Sequence, residues 1–91
     1  SNTKEVAEEL GTLYIEVLIG NLKDATHRSL ELLGDVDLIA AEDTRRTGIL
    51  LKHYEIKTPL SSFNSYNQVK KSDRLIARLK VGHDLALVSD A

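Results

Sequence analysis

The stretch Val36-Asp37-Leu38-Ile39-Ala40-Ala41-Glu42-Asp43-Thr44-Arg45-Arg46 decides how the rest of this chain is read. A short apolar run ends abruptly in two carboxylates, a threonine and two guanidinium groups. That is the profile of a buried strand, apolar on both faces, whose carboxyl end meets a turn and the start of a helix. In open α/β sheets ligands bind just beyond the carboxyl ends of strands, so Glu42 to Arg46 is the first place to look for function.

Outward from this stretch, strand and helix alternate. Towards the N-terminus, Gly34 stops a helix that Asp24 caps and that turns Leu30 and Leu33 inwards. Before it, Thr12–Ile19 reads as a strand, and the charge at Glu16 suits an edge position. Gly20-Asn21 is a turn signal. Thr3–Leu10 reads as a short helix with Thr3 as N-cap and Gly11 as stop. Towards the C-terminus, Asp43 or Thr44 caps a helix reaching His53, with Ile49, Leu50 and Tyr54 as its inner stripe. Pro59 opens a strand over Leu60–Phe63, and Asn64–Asn67 is a polar connection. Gln68–Lys80 is the clearest helix, with Val69, Leu75, Ile76 and Leu79 on one face. Gly82 ends it, Val81 stands out as apolar in a polar exit, and Asp84–Val88 is the last strand. Three strand–helix units and a final strand predict a mainly parallel sheet with right-handed crossovers and helices on both faces.

Composition bounds the chemistry. The 91 residues suffice for one α/β domain over residues 1–91, with 1–10 as a helical extension. Cysteine is absent, which excludes disulfides, thiolate metal sites and cysteine nucleophiles. Tyr14, Tyr54, Phe63 and Tyr66 are the aromatics, so the core is aliphatic. A net charge of −2 gives no global attraction to nucleic acid or anionic membrane. No apolar run approaches the roughly 20 residues that span a bilayer. Ser1-Asn2 has the look of a cleavage scar, and a cytoplasmic location is the default expectation.

Several residues invite chemistry. Asp43 has a structural role available as a helix cap, whereas Glu42 has none and is the more telling acid. Arg45 and Arg46 fall in a first helical turn, where the macrodipole disfavours cations, which suggests an anion or acidic partner; a solvated arginine or an ion pair with Glu42 fits equally. His27, His53 and His83 lack the short spacings of a metal site. Lys70, Lys71, Arg74, Arg78 and Lys80 make one helix basic against a single acid, Asp73; a solvated face or a phosphate contact both fit. Gly20-Asn21-Leu22 is neither a dinucleotide nor a Walker fingerprint. These residues alone define a parallel α/β domain without naming its activity.

Gly11-Thr12-Leu13-Tyr14, Ile19-Gly20-Asn21-Leu22, Asp37 to Arg45, Ile56-Lys57-Thr58-Pro59-Leu60 and Leu87-Val88-Ser89-Asp90-Ala91 carry a resemblance. From about Gly11 to Ala91 the chain resembles the N-terminal domain of the ribosomal RNA small subunit methyltransferase I family, in the tetrapyrrole methylase superfamily. The resemblance implies two-domain, commonly dimeric enzymes that hold S-adenosylmethionine between the domains. They move its methyl group to a cytidine ribose 2′-hydroxyl of ribosomal RNA. It also implies a three-layer fold with strand order 3-2-4-1 here, the family's fifth strand lying beyond the first. Carried over, the cofactor-binding residues are Ser89, Asp90, Ala91, Gly20 and Asn21. Glu42, Asp43, Thr44 and Arg45 would position cofactor or substrate.

The chain departs from that pattern at functional segments. Where the family has a longer segment ending Ala-Thr-Pro, Ile15-Glu16-Val17-Leu18 stands. Asn64-Ser65-Tyr66-Asn67 replaces a His-Glu-rich segment, and the family's Gly-Thr-Pro-Gly after Ser89-Asp90-Ala91 is absent. The expectation is a truncated methyltransferase portion, inactive alone and binding no cofactor alone. The alternative is an engineered or selected non-catalytic module that keeps the frame and self-associates. In either case the exposed first-strand edge or the N-terminal helix is expected to pair two copies into a homodimer.

Overall fold

The fold is built around Leu38–Ala41, all four of whose residues are buried. The computed structural model describes residues 3–20, 23, 25–63 and 68–90, with side chains for all of these except 68–72 and 90. The elements run α1 (Thr3–Leu10), β1 (Tyr14–Ile19), α2 (His27–Asp35), β2 (Leu38–Ala41), α3 (Thr44–His53), β3 (Leu60–Ser62), α4 (Gln68–Lys80) and β4 (Leu85–Asp90). The four strands pair in parallel in the order β1-β4-β2-β3, which is 3-2-4-1 read from the opposite side of the sheet. The α/β class expected from the strand–helix alternation is therefore the observed one.

Connectivity explains the layers. The steps β1 to β2 and β2 to β3 travel one way across the sheet, and β3 to β4 travels back. Right-handed crossovers then place α2 and α3 on one face and α4 on the other. The buried side chains divide accordingly. Leu33, Leu50 and Leu51 pack with Val17, Ile19, Ile39, Ala41, Ala86 and Val88 on the first face. Ala7, Leu75 and Leu79 pack with Leu38, Ala40, Phe63 and Leu85 on the second. Alternate residues of β2 and β4 thus serve opposite cores, as a two-residue side-chain period requires. Helix α1 lies against α4 and β1, with Val6 and Tyr14 joining the second core. Burial there, and then Glu16 nearby, push the Tyr14 phenol above its ordinary value.

Helix ends show where local signals decide and where they do not. Gly11 and Gly82 both adopt positive φ, at 74° and 90°. Each closes its helix with paired bonds, Thr12 N–H to the Ala7 carbonyl (3.0 Å) and His83 N–H to the Arg78 carbonyl (3.2 Å). These are the left-handed exits that glycine favours. Helix α3 ends the same way at Glu55, whose φ is 56°. Ile56 N–H then donates to the Leu51 carbonyl (2.8 Å) and Glu55 N–H to that of Lys52 (3.2 Å).

Other boundaries differ from the sequence expectations. Helix α1 already includes Thr3, so Thr3 is not its N-cap. Helix α2 is capped by Thr26, whose hydroxyl accepts the Ser29 N–H at 3.1 Å. Asp24, expected in that role, lies outside the described residues, as do Asn64–Asn67. Gly34 does not stop α2, which runs on to Asp35 and ends where Val36 turns extended. The inner stripe of α3 is Thr47, Leu50 and Leu51, while Ile49 is 57 % exposed. Packing against the sheet set the helix phase, and the periodic pattern left two neighbouring phases open. Strand β1 begins at Tyr14 and β2 at Leu38, each two residues later than expected, and β3 stops at Ser62.

The amino ends of the strands are locked by Asp84. Its carboxylate accepts the Leu13 N–H at 2.8 Å, and its own N–H donates to the Asp37 carboxylate at 2.8 Å. Its carbonyl accepts the Asp37 N–H at 2.9 Å. One residue therefore joins the starts of β1, β4 and β2. Nearby, the Thr58 hydroxyl donates to the Leu33 carbonyl at 2.8 Å, satisfying an acceptor in the last turn of α2.

Candidate functional site at the carboxyl edge of the sheet

The strand register determines what gathers at the opposite edge. Ala41 pairs with Val88 on one side and Ser62 on the other, and there β2 stops. Strand β4 runs two residues further, with Ser89 opposite Leu18 and Asp90 opposite Ile19. Glu42 N–H makes the last tie, to the Val88 carbonyl at 3.4 Å, before the chain leaves the sheet. The edge is therefore stepped: β4 and β1 project together, and Glu42 turns away beside them. Such a divergence of neighbouring strands is where open α/β sheets form ligand crevices.

Asp43 is the helix cap. Its φ and ψ are −115° and 95°, and its carboxylate accepts the Arg46 N–H at 3.0 Å. This role occupies the carboxylate and fixes the direction of α3. Thr44 is the first helical residue and is exposed, as are Glu42 and Arg45. Among the described residues, neither Glu42 nor Arg45 forms an ion pair. Of the two simple readings of these arginines, an ion pair with Glu42 is not formed among the described residues, and Arg45 is exposed.

The Arg46 guanidinium instead donates to the Gly20 carbonyl. This contact bridges the start of α3 to the end of β1, two segments 26 residues apart. It supplies an acceptor for a cation placed against the helix dipole. Gly20 is half-buried, and its carbonyl is thereby engaged. The residues carried over from the resemblance stop at Arg45; the signal for Arg46 was a second cation at a position where the dipole opposes it. Ser89 is half-buried within β4, and Asp90 belongs to the same strand, not to a loop. Asn21 and Ala91 lie outside the described residues.

The histidines lie apart from this edge in their contacts. His27 Nε2 meets Glu31 at 3.2 Å on the exposed side of α2, and His53 stands edge-on to Tyr54 at 4.8 Å. His83 Nδ1 is 3.3 Å from Arg78. Among the described residues, no three His, Asp or Glu side chains form a group able to hold a metal ion.

The donor set can be tested against an S-adenosyl group. A free carboxylate at Glu42 and a hydroxyl at Ser89 suit the hydroxyl and ammonium donors of such a molecule. The Gly20 carbonyl already accepts from Arg46, and the aromatic ring described at this edge, that of Phe63 beside the end of β2, is buried in the second core. The edge fits one wall of such a site.

No family model matches the chain. Curated relatives do. It is 51 % identical over 82 residues to ribosomal RNA small subunit methyltransferase I of Haemophilus influenzae, covering 89 % of this chain and 29 % of that protein. The Synechocystis protein of the same name is 51 % identical over 83 residues, covering 90 % and 30 %. That of Thermotoga maritima is 55 % identical over 73 residues, covering 80 % and 33 %. Identity of this order across nine-tenths of the chain, on the strand order implied by the resemblance, makes it a homologue of part of ribosomal RNA small subunit methyltransferase I, spanning about three-tenths of the length of these relatives.

Proposed function

We propose that this chain is one portion of an S-adenosylmethionine-dependent ribosomal RNA methyltransferase, acting on a cytidine ribose 2′-hydroxyl in the cytoplasm. The carrying observation is the identity of about half over 82 residues to proteins named as ribosomal RNA small subunit methyltransferases. The bound cofactor would supply an electrophilic methyl group. Glu42 and Ser89 would contact its polar atoms, while Asp43 and Arg46 keep α3 and the β1 exit in register beneath it. Thr44 and Arg45, exposed on the first turn of α3, would face the substrate side.

Methyl transfer needs donor and hydroxyl in near-attack geometry, and one wall does not impose it. The chain alone therefore gives no turnover on small-subunit RNA. Exchanging this chain for the matching segment of the Haemophilus influenzae enzyme tests the reading. Measurable methyl transfer by the chimaera, lost on Glu42→Ala, is the expected result. A folded chimaera that binds no S-adenosylmethionine would sink it.

A specific observation supports a second reading, a self-associating scaffold. Strand β1 pairs with β4 and with no other described strand, and Leu18 on it is 71 % exposed. Joined across a two-fold axis, two β1 edges run antiparallel, a closed arrangement of the commonest symmetry. Light scattering tests the self-association itself: a dimer at micromolar concentration supports it, and a monomer throughout removes it.

A further inference from the structure

We infer that the cleft between α4 and the β2–β3 side of the sheet seats a phosphodiester of an RNA strand. The cleft has a volume of about 200 Å³ and is lined by Leu38, Ser61, Arg74, Leu75 and Arg78. It lies away from the carboxyl edge. Leu38 opens β2, four residues or roughly 13 Å of strand before Glu42.

The lining has a consistent chemistry. Arg74 and Arg78 stand one helical turn apart and offer planar forks of N–H donors, which match phosphate oxygens in pairs. Ser61 adds a hydroxyl, and Leu38 and Leu75 form an apolar floor. Among the described residues, no carboxylate lines the cleft. Among the described residues, neither arginine forms an ion pair. Asp37, next in the chain to Leu38, accepts the Asp84 N–H, and Asp84 accepts the Leu13 N–H. Asp73 is exposed and outside the lining. The His83 ring nitrogen, 3.3 Å from Arg78 Nη1, steadies that guanidinium. Like charges one turn apart repel, and an anion between them relieves the repulsion.

Size narrows the ligand. Pockets for whole small molecules run to about 300–1,000 Å³, so this cleft admits a phosphate and the edge of its sugar. A chain of net charge −2 attracts polyanions only locally, and α4 concentrates Lys70, Lys71, Arg74, Arg78 and Lys80 against Asp73. The choice of RNA as the polyanion rests on the reading of the chain as part of an RNA-methylating enzyme; the cleft itself does not.

The test is fluorescence anisotropy of a labelled single-stranded RNA oligonucleotide against the whole chain, across a salt series. Two phosphate contacts predict a slope of log affinity on log salt of about −1.4 or steeper, a loss of about sevenfold between 50 and 200 mM. Arg74→Gln with Arg78→Gln is expected to flatten the slope by about 1.4 and weaken binding at least tenfold. Lys52→Gln, on α3 across the sheet, changes affinity less than about twofold. Unchanged circular dichroism confirms that the exposed arginines were removed without unfolding. Three results overturn the inference: no RNA binding, an unaffected double variant, or equal binding of polyglutamate of matched charge. Inorganic phosphate shifting the Ser61 and Leu75 amide resonances, without RNA binding, assigns the cleft to free anions and also overturns it. Cofactor titration reads the carboxyl edge, so either proposal can fail alone.

Discussion

The two ends of the parallel sheet are built differently. At the amino end, Leu13, Asp37 and Asp84 exchange backbone and carboxylate hydrogen bonds, and β1, β4 and β2 begin together. At the carboxyl end, β2 stops two residues before β4, and Glu42 and Leu18 face solvent. A charged side chain at the first end is consumed in holding strands. At the second end one acid, Asp43, is consumed as a cap, and another, Glu42, is left unpaired among the described residues. The hydrogen bonds that tie strand to strand thus gather at one end of the sheet, and the opposite end carries the proposed cofactor contacts.

This contrast predicts graded effects. The largest separates two leucines. Leu85, 1 % exposed at the start of β4, loses about 2–5 kcal/mol on change to alanine through lost contacts and a cavity. Leu18, 71 % exposed near the end of β1, changes stability by about 0.5 kcal/mol or less. Urea denaturation measures both, and similar losses would erase the distinction. Next come the acids. Asp84→Ala removes the acceptor of the exposed Leu13 N–H and is expected to lower stability by about 0.5–1.5 kcal/mol. Glu42→Ala stays within about 0.5 kcal/mol. The smallest effect is a gain. Glu55 occupies a left-handed helix exit that glycine adopts without a side-chain clash. Glu55→Gly should raise stability by about 0.5–1 kcal/mol, the conformational relief exceeding the entropy added to the unfolded chain. A lower melting temperature for that variant would contradict this account of the α3 terminus.

Much of the frame was legible because its signals are local. Asp43 three residues ahead of Arg46 is a cap that needs no tertiary information. Gly11 and Gly82 announced helix ends because only local backbone strain is involved. Glu55 performs the same task unannounced, since no glycine marks it. Thr26 was passed over for Asp24 because both residue types cap helices and sequence does not rank two candidates two residues apart. The α3 stripe was right at Leu50 and misphased around it: contact with the sheet buried Thr47 and Leu51 in place of the equally periodic Ile49 and Tyr54. At the candidate site, Glu42 was legible as an acid without a structural task. The Arg46–Gly20 contact was not, because its partners are 26 residues apart and one is a backbone carbonyl without side-chain identity.

By itself the sequence determined an alternating strand–helix frame, an aliphatic core, and Val36–Arg46 as a buried strand opening onto polar residues. Hydrophobic period and capping chemistry act over a few residues, so they can be read without the fold. Tertiary structure alone decided the stepped carboxyl edge, the Asp84 lock and the Arg74–Arg78 cleft. Each joins residues distant in the chain, and only parallel register and the side chosen by each crossover bring them together.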